Sequence, residues 1–205
     1  TSSERVQLAG AANTLVLAAD GIHADNTDGL GLVADIVRNA GVPLAGRDLL
    51  LLGAGGAAAG ALGSLLAERP RRIAVVNRTF ERAQALVQRH AAIAAQHGVE
   101  LVALEQQAVD EDFDVVINAT ASSLAGAEVP VPARVLRTGS LAYDMMYGPA
   151  GQGFMQWAEQ HGATARDGLG MLVEQAAESF ALWRGVRPPS AQVLNELRAH
   201  IAQGG

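Results

Sequence analysis

The residues of this chain with the most definite chemistry are glycines. Gly53-Ala54-Gly55-Gly56-Ala57 follows Asp48 and four consecutive leucines, and it leads into an alanine-rich stretch of helical character. Such an apolar run reads as a strand buried on both faces, and glycines at its end let the backbone turn sharply into a helix. The first N–H groups of that helix lack partners within it, so they can hold a pyrophosphate. About 20 residues further on, dinucleotide-binding folds place the group that selects their cofactor. An acid there accepts the ribose 2′-hydroxyl and repels a 2′-phosphate. This sequence instead has Asn77-Arg78-Thr79, with Arg82 a helical turn beyond. Two guanidinium groups and a hydroxyl favour the 2′-phosphate of NADP over NAD.

Other polar groups fall where strands should end. Asn118-Ala119-Thr120 closes the run Asp114-Val-Val-Ile; its amide and hydroxyl either bond the ribose or nicotinamide carboxamide, or serve as ordinary turn residues. Tyr143-Asp144-Met145-Met146-Tyr147 leaves the next strand. Met145 can pack on a nicotinamide ring and Tyr147 can offer a hydroxyl to a substrate, although both residue types also fill cores. In Asp167-Gly168-Leu169-Gly170-Met171 the glycines allow close backbone approach, and Gln175 lies about one turn into the following helix, as a ligand or as a solvent-facing glutamine. Asp28, within Asn26-Thr27-Asp28-Gly29, is either a functional acid or a first-turn acid stabilised by the helix dipole. Asn13 by itself reads as a turn residue. The five histidines fall in predicted loops or on polar helix faces, with no metal-ligand spacing, so no metal is expected. Ser122-Ser123 lacks the context of a nucleophile elbow.

The elements that must position these groups alternate regularly. Strands are expected near 48–53, 72–77, 99–104, 114–118, 140–144 and 163–166, and helices near 56–68, 79–97, 154–161, 169–184 and 190–202. Apolar strands separated by helices make a doubly wound α/β fold with a parallel sheet, the Rossmann type. Upstream, residues 13–20 and a segment after Gly21 form a hairpin turning at Asp20-Gly21, and a helix runs from about Asn26 to Asn39. Ser190 is the expected N-cap of the last helix.

Composition narrows the class. Fifteen arginines against 21 acids give a net charge of −6, which argues against a nucleic-acid surface. No apolar run approaches the roughly 18 residues of a membrane span, and no signal peptide is evident, so a cytoplasmic location is expected. Zero cysteines exclude thiolate zinc sites and cysteine nucleophiles. All cationic side chains other than histidine are arginine; the sequence has no lysine. It opens at Thr1, within a helical pattern, as though an element were entered midway.

Taken in order, Leu8-Ala9-Gly10-Ala11-Ala12-Asn13-Thr14, Asp25-Asn26-Thr27-Asp28-Gly29, Gly53-Ala54-Gly55-Gly56-Ala57, Asn77-Arg78-Thr79, Asn118-Ala119-Thr120, Tyr143-Asp144-Met145 and Asp167-Gly168-Leu169-Gly170-Met171 with Gln175 resemble the shikimate dehydrogenase family over essentially the whole chain. The resemblance implies NADPH-dependent reduction of 3-dehydroshikimate to shikimate, in aromatic amino-acid biosynthesis. It implies that Gly53, Ala54, Gly55, Gly56 and Ala57 wrap the pyrophosphate, and that Asn77, Arg78, Thr79 and Arg82 hold the 2′-phosphate. Thr120, Met145 and Gly168 would border the nicotinamide half, with Asn118 and Ala119 also counted among the cofactor-binding residues. Asn13, Asp28, Tyr147 and Gln175 would contact shikimate, with Asp28 catalytic.

The implied organisation is a remnant of a substrate-binding α/β domain over 1–28, an NADP-binding domain over 29–168, and C-terminal helices over 169–205 packing back toward the first. The family pairs its aspartate with a lysine from a segment upstream of Thr1. An aspartate alone is a poor proton donor at neutral pH, so the 205 residues are expected to be nearly inactive by themselves. A monomer or homodimer is expected. The alternatives are a non-catalytic NADP-binding regulatory module and a relative acting on quinate.

Overall fold

Leu49, Leu50, Leu51 and Leu52 are wholly inaccessible to solvent, as a strand covered on both faces requires. A computed structural model describes residues 1–120 and 129–203. Ser122 and Ser123 lie outside the described residues. The leucines form β3 (Asp48–Leu52), at the centre of a six-stranded parallel sheet ordered β5-β4-β3-β6-β7-β8. Its other strands are β4 (Arg72–Val76), β5 (Glu100–Leu104), β6 (Phe113–Asn118), β7 (Leu136–Asp144) and β8 (Thr164–Arg166). Side chains alternate between two cores. Leu49 and Leu51 meet α3 (Gly56–Ala67) and α4 (Phe80–His97), whereas Leu50 and Leu52 join Phe113, Phe154 and Ala158 beneath α5 (Gln152–Gln160). The chain reverses its winding between β3 and β6, which opens a crevice at their carboxyl ends, where such folds bind ligands.

The N-terminal segment contains α1 (Glu4–Ala9), the antiparallel hairpin β1 (Thr14–Ala18) and β2 (Gly21–Asp25), and α2 (Asp28–Ala34), which continues through a π-helical turn to Asn39. Two glycines let α2 pass at backbone contact between α3 and α6 (Leu169–Arg184). A Cβ at Gly29 would stand 2.7 Å from the Gly60 carbonyl oxygen, and one at Gly31 would stand 2.7 Å from both Gln175 N and Met171 O. That crossing carries Asp28 to the face of Gln175.

A buried ionic cluster fixes the far end of α2. Asp35, wholly buried, receives Arg166 Nε at 2.8 Å and Nη2 at 2.6 Å, Tyr143 Oη at 2.8 Å and Asn39 Nδ2 at 2.8 Å. Burial alone would raise its carboxyl, but the Arg166, Asn39 and Tyr143 bonds outweigh burial and hold it below the usual carboxylate range. A Cβ at Gly170 would lie 1.9 Å from Asp35 Oδ1, so only glycine fits there.

Three local expectations need correction. The hairpin turns at Ala19-Asp20, because Gly21 is already paired with Ala18 in the ladder. Ser190 is the first residue of α7 (Ser190–Ala202), not its N-cap; Pro189 takes that position, and the Ser190 hydroxyl goes to Glu174 Oε1 at 3.0 Å. Among the histidines, His23 lies within β2 and His90 is fully buried. His90 shares the inner face of α4 with Ala83, Leu86 and Ala94.

Candidate cofactor and substrate site

The glycine turn follows β3 directly. Gly53 has φ +109°, and a Cβ there would sit 3.0 Å from the Ala119 carbonyl oxygen, so the turns after β3 and β6 touch through backbone. Gly55 is the N-cap residue of α3 and provides no side-chain cap. No atom lies within 4 Å of a Cβ built at Gly55 or Gly56, and both residues are exposed. The first N–H groups of a 12-residue helix therefore face an open cleft, bordered by Ala54, Gly55, Gly56, Arg82 and Arg89. Ala57 is exposed at the same turn.

At the tip of β4, Asn77 Nδ2 donates to the Thr79 carbonyl at 2.8 Å and shapes the turn into α4. Arg78, Thr79 and Arg82 are exposed, and neither arginine forms an ion pair with an acid among the described residues. Exposed cations beside uncapped amides form a cradle for an anionic dinucleotide.

The crevice continues across three strand ends. Asn118 is buried, and its Oδ1 accepts from Thr120 N at 3.1 Å and Thr120 Oγ1 at 2.7 Å. Its Nδ2 donates to Asp144 Oδ2 at 3.1 Å. Asp144 Oδ1 accepts from Met146 N at 2.9 Å, and Met146 O from Gly168 N at 2.9 Å. A Cβ at Gly168 would collide with the Met145 carbonyl at 2.1 Å. The ends of β6, β7 and β8 thus form one bonded edge. Asn118 acts there through the turn it builds, while Thr120 and Met145 are half-buried and Tyr147 is exposed.

Asn13, Asp28 and Gln175 come together. Asn13 Nδ2 donates to Asp28 Oδ1 at 2.8 Å and to Gln175 Oε1 at 2.9 Å, joining residues 162 positions apart. Its Oδ1 accepts from Thr27 N at 3.0 Å, Thr27 Oγ1 at 3.2 Å and Thr14 Oγ1 at 2.9 Å. Reversing the amide would set donor against donor at Thr27 N–H, so the orientation is fixed. The Ser179 hydroxyl supports this from behind, 2.6 Å from Thr14 Oγ1 and 3.2 Å from Thr27 Oγ1, while bonding the Gln175 carbonyl at 3.1 Å. Sequence reasoning does not single out Thr14, Thr27 or Ser179. The available signal for Ser179 is its spacing, one helical turn after Gln175 on the same face. No group of acids and histidines among the described residues could hold a metal ion.

A doubly wound sheet with uncapped amides, basic residues at a strand tip and a polar cluster beside its carboxyl edge defines a dinucleotide-binding protein. Comparison with known proteins shows the family. The Shikimate / quinate 5-dehydrogenase profile matches residues 35–129, and the Shikimate 5'-dehydrogenase C-terminal domain profile matches residues 168–198. A shikimate dehydrogenase (NADP(+)) of Acidovorax ebreus is 76% identical over 204 residues, covering 100% of this chain and 72% of the relative. Among solved structures, an Ael1 enzyme from Pseudomonas putida is 44% identical with a TM-score of 0.86, over 96% of this chain and 71% of that one. The shikimate 5-dehydrogenase of Thermus thermophilus, in complex with NADP(H) and shikimate, is 30% identical with a TM-score of 0.78, over 97% of this chain and 71% of that one. The chain belongs to the shikimate dehydrogenase family.

Proposed function

We infer that the chain carries out the NADP-dependent interconversion of 3-dehydroshikimate and shikimate, in aromatic amino-acid biosynthesis. The observation carrying this reading is the convergence of Asn13, Asp28 and Gln175 at 2.8–2.9 Å beside a crevice that suits a 2′-phosphorylated dinucleotide. Gly53 to Ala57 hold the diphosphate, and Asn77, Arg78, Thr79 and Arg82 hold the 2′-phosphate. Asn118, Ala119, Thr120, Met145 and Gly168 border the nicotinamide half. When bound, the cofactor supplies a pair of electrons with a proton to the substrate carbonyl carbon.

The chain's own residues do the rest. Asn13 and Gln175, already aligned by the Thr27 and Ser179 network, exchange their mutual bond for substrate hydroxyls, and Tyr147 adds a third polar contact. Asp28 bonds the hydroxyl at the reacting carbon and carries its proton during oxidation. Alignment of this kind lowers the entropic barrier before any bond is made.

Residues 1–28 act as part of the substrate-binding domain, 29–168 as the NADP-binding domain, and 169–205 as helices linking the two. The Trp183 Nε1 bond to the Leu15 carbonyl at 2.8 Å supports that link. With no lysine in the sequence, proton delivery rests on Asp28 and solvent, and the 205 residues turn over slowly by themselves. The protein works in the cytoplasm, without nucleic acid, as a monomer or homodimer. No helix among the described residues is long and apolar enough to cross a membrane.

The test is 3-dehydroshikimate-dependent NADPH oxidation, run on this chain and on a chimera carrying the portion of the Acidovorax ebreus relative outside the match. The expected result is strong turnover in the chimera and turnover lower by about 10²–10⁴ in the chain. A chimera that binds NADP but ignores dehydroshikimate contradicts the reading, and one that prefers quinate reassigns the substrate.

A further inference from the structure

Arg89 lies two turns beyond Arg82 on α4, where a seven-residue step returns to nearly the same face. It borders the same cleft as Gly55, Gly56 and Arg82. Ala85 stands between the two arginines and leaves the space above α4 open. A long side chain on a helix leans toward the helix N-terminus, which here means toward the glycine turn. Arg89 Nη1 donates to the Leu8 carbonyl at 3.1 Å, the last turn of α1. That carbonyl is a neutral partner. Among the described residues Arg89 has no carboxylate partner, and the cleft is bordered by two guanidinium groups and no acid. In a chain with 21 acids and 15 arginines, this is a local reversal of sign.

We propose that Arg89 is a further cofactor-binding residue, which grips the diphosphate of the dinucleotide opposite the amides of Gly55 and Gly56 while remaining anchored to α1 through Leu8. This rests on the NADP reading above. Nη1 keeps the carbonyl, while Nε and Nη2 have donors left for phosphate oxygens. The anchor fixes the guanidinium before the ligand arrives, so less rotamer freedom is lost on binding. It also couples α1, and through it the N-terminal segment, to occupancy of the cofactor cleft.

The diphosphate is common to NADP and NAD, whereas the 2′-phosphate belongs to NADP alone, and the test uses this difference. NADP and NAD are titrated calorimetrically into the chain and into Arg89→Gln, Arg89→Ala and Arg82→Ala variants. Arg89→Gln retains a neutral donor for the Leu8 carbonyl and removes the charge. Both Arg89 variants are expected to weaken NADP and NAD alike, by about tenfold, leaving their ratio unchanged. Arg82→Ala should lower the ratio. Apo melting temperature separates a latch from a ligand: Arg89→Gln should melt within a few degrees of wild type while still losing affinity. Unchanged binding of both nucleotides in Arg89→Gln overturns the proposal, as does a loss confined to NADP. Failure of the wild-type chain to bind NADP would instead overturn the cofactor reading.

Discussion

The two edges of the sheet use the same residue type for opposite ends. At the amino edge, Arg71 pairs with Asp48, Arg72 with Glu111 at 2.6 Å, and Arg137 with Asp114 at 2.7 Å and Asp112 at 3.1 Å; Arg47 reaches Asp114 at 3.3 Å. Each of these four cations is matched by acids from a neighbouring strand or loop. At the carboxyl edge, Arg78 and Arg82 are exposed without an acidic partner among the described residues, and Arg89 holds only a carbonyl. The difference lies in what surrounds the charge. An arginine satisfied by carboxylates staples strands together and has nothing left to offer. An arginine without them keeps its donors for a ligand, at the cost of local repulsion that the ligand relieves on binding. Carboxylate pairing, rather than position along the strands, marks the structural arginines: Arg166, at the carboxyl end of β8, is paired with Asp35 like those of the amino edge.

Substitutions at the two edges should divide accordingly. The largest effect is expected for Asp28→Asn, measured in the chimera. It keeps an oxygen for the Asn13 amide and removes the charge, and should lower kcat for dehydroshikimate reduction by about 10²–10⁴ with little change in melting temperature. Arg82→Ala should lower the preference for NADP over NAD by about tenfold, again without loss of stability. At the amino edge the pattern reverses. Arg137→Ala should cost about 1 kcal/mol in denaturant unfolding and leave the NADP Kd unchanged. An affinity loss in Arg137→Ala, or a stability loss alone in Arg82→Ala, would break the division.

A smaller effect comes from His90. Burial disfavours its charged form and outweighs the bond to the Leu86 carbonyl at 2.9 Å, so its pKa lies below the ordinary value. The unfolded chain then binds a proton the folded chain refuses. Stability is full above about pH 6.5 and falls as the pH drops below it, by at most about 1.4 kcal/mol per pH unit. His90→Gln should flatten that slope in thermal unfolding between about pH 7.5 and about pH 5.5, without altering the NADP to NAD ratio. An unchanged slope would assign the acid sensitivity elsewhere.

Much of this is legible in the residues alone. The leucine run, the glycine turn and the basic tip announce a parallel strand, a helix start and a phosphate preference through local chemistry. Asn13, Asp28 and Gln175 are legible only through family resemblance, because their meeting depends on Gly29 and Gly31 letting α2 cross two helices. Nothing local encodes that crossing. The Asn118 amide reads as facing the ligand or as a turn residue, and the structure turns it inward to Thr120 and Asp144. His90 reads as lying in a loop or on a polar helix face, although its spacing from Ala83 and Leu86 already marks the inner stripe of α4. Ser190 has the chemistry of an N-cap, but buried Glu174 claims its hydroxyl. Arg89 carries no motif, and its significance comes from the cleft it borders.

The most direct measurement is a calorimetric titration of the 205-residue chain with NADP and, separately, with NAD at the same ionic strength. NADP is expected to bind at least about tenfold more tightly, and added salt to narrow the gap by screening the exposed guanidinium groups. Equal affinities for the two nucleotides, or no binding of either, would contradict the NADP reading.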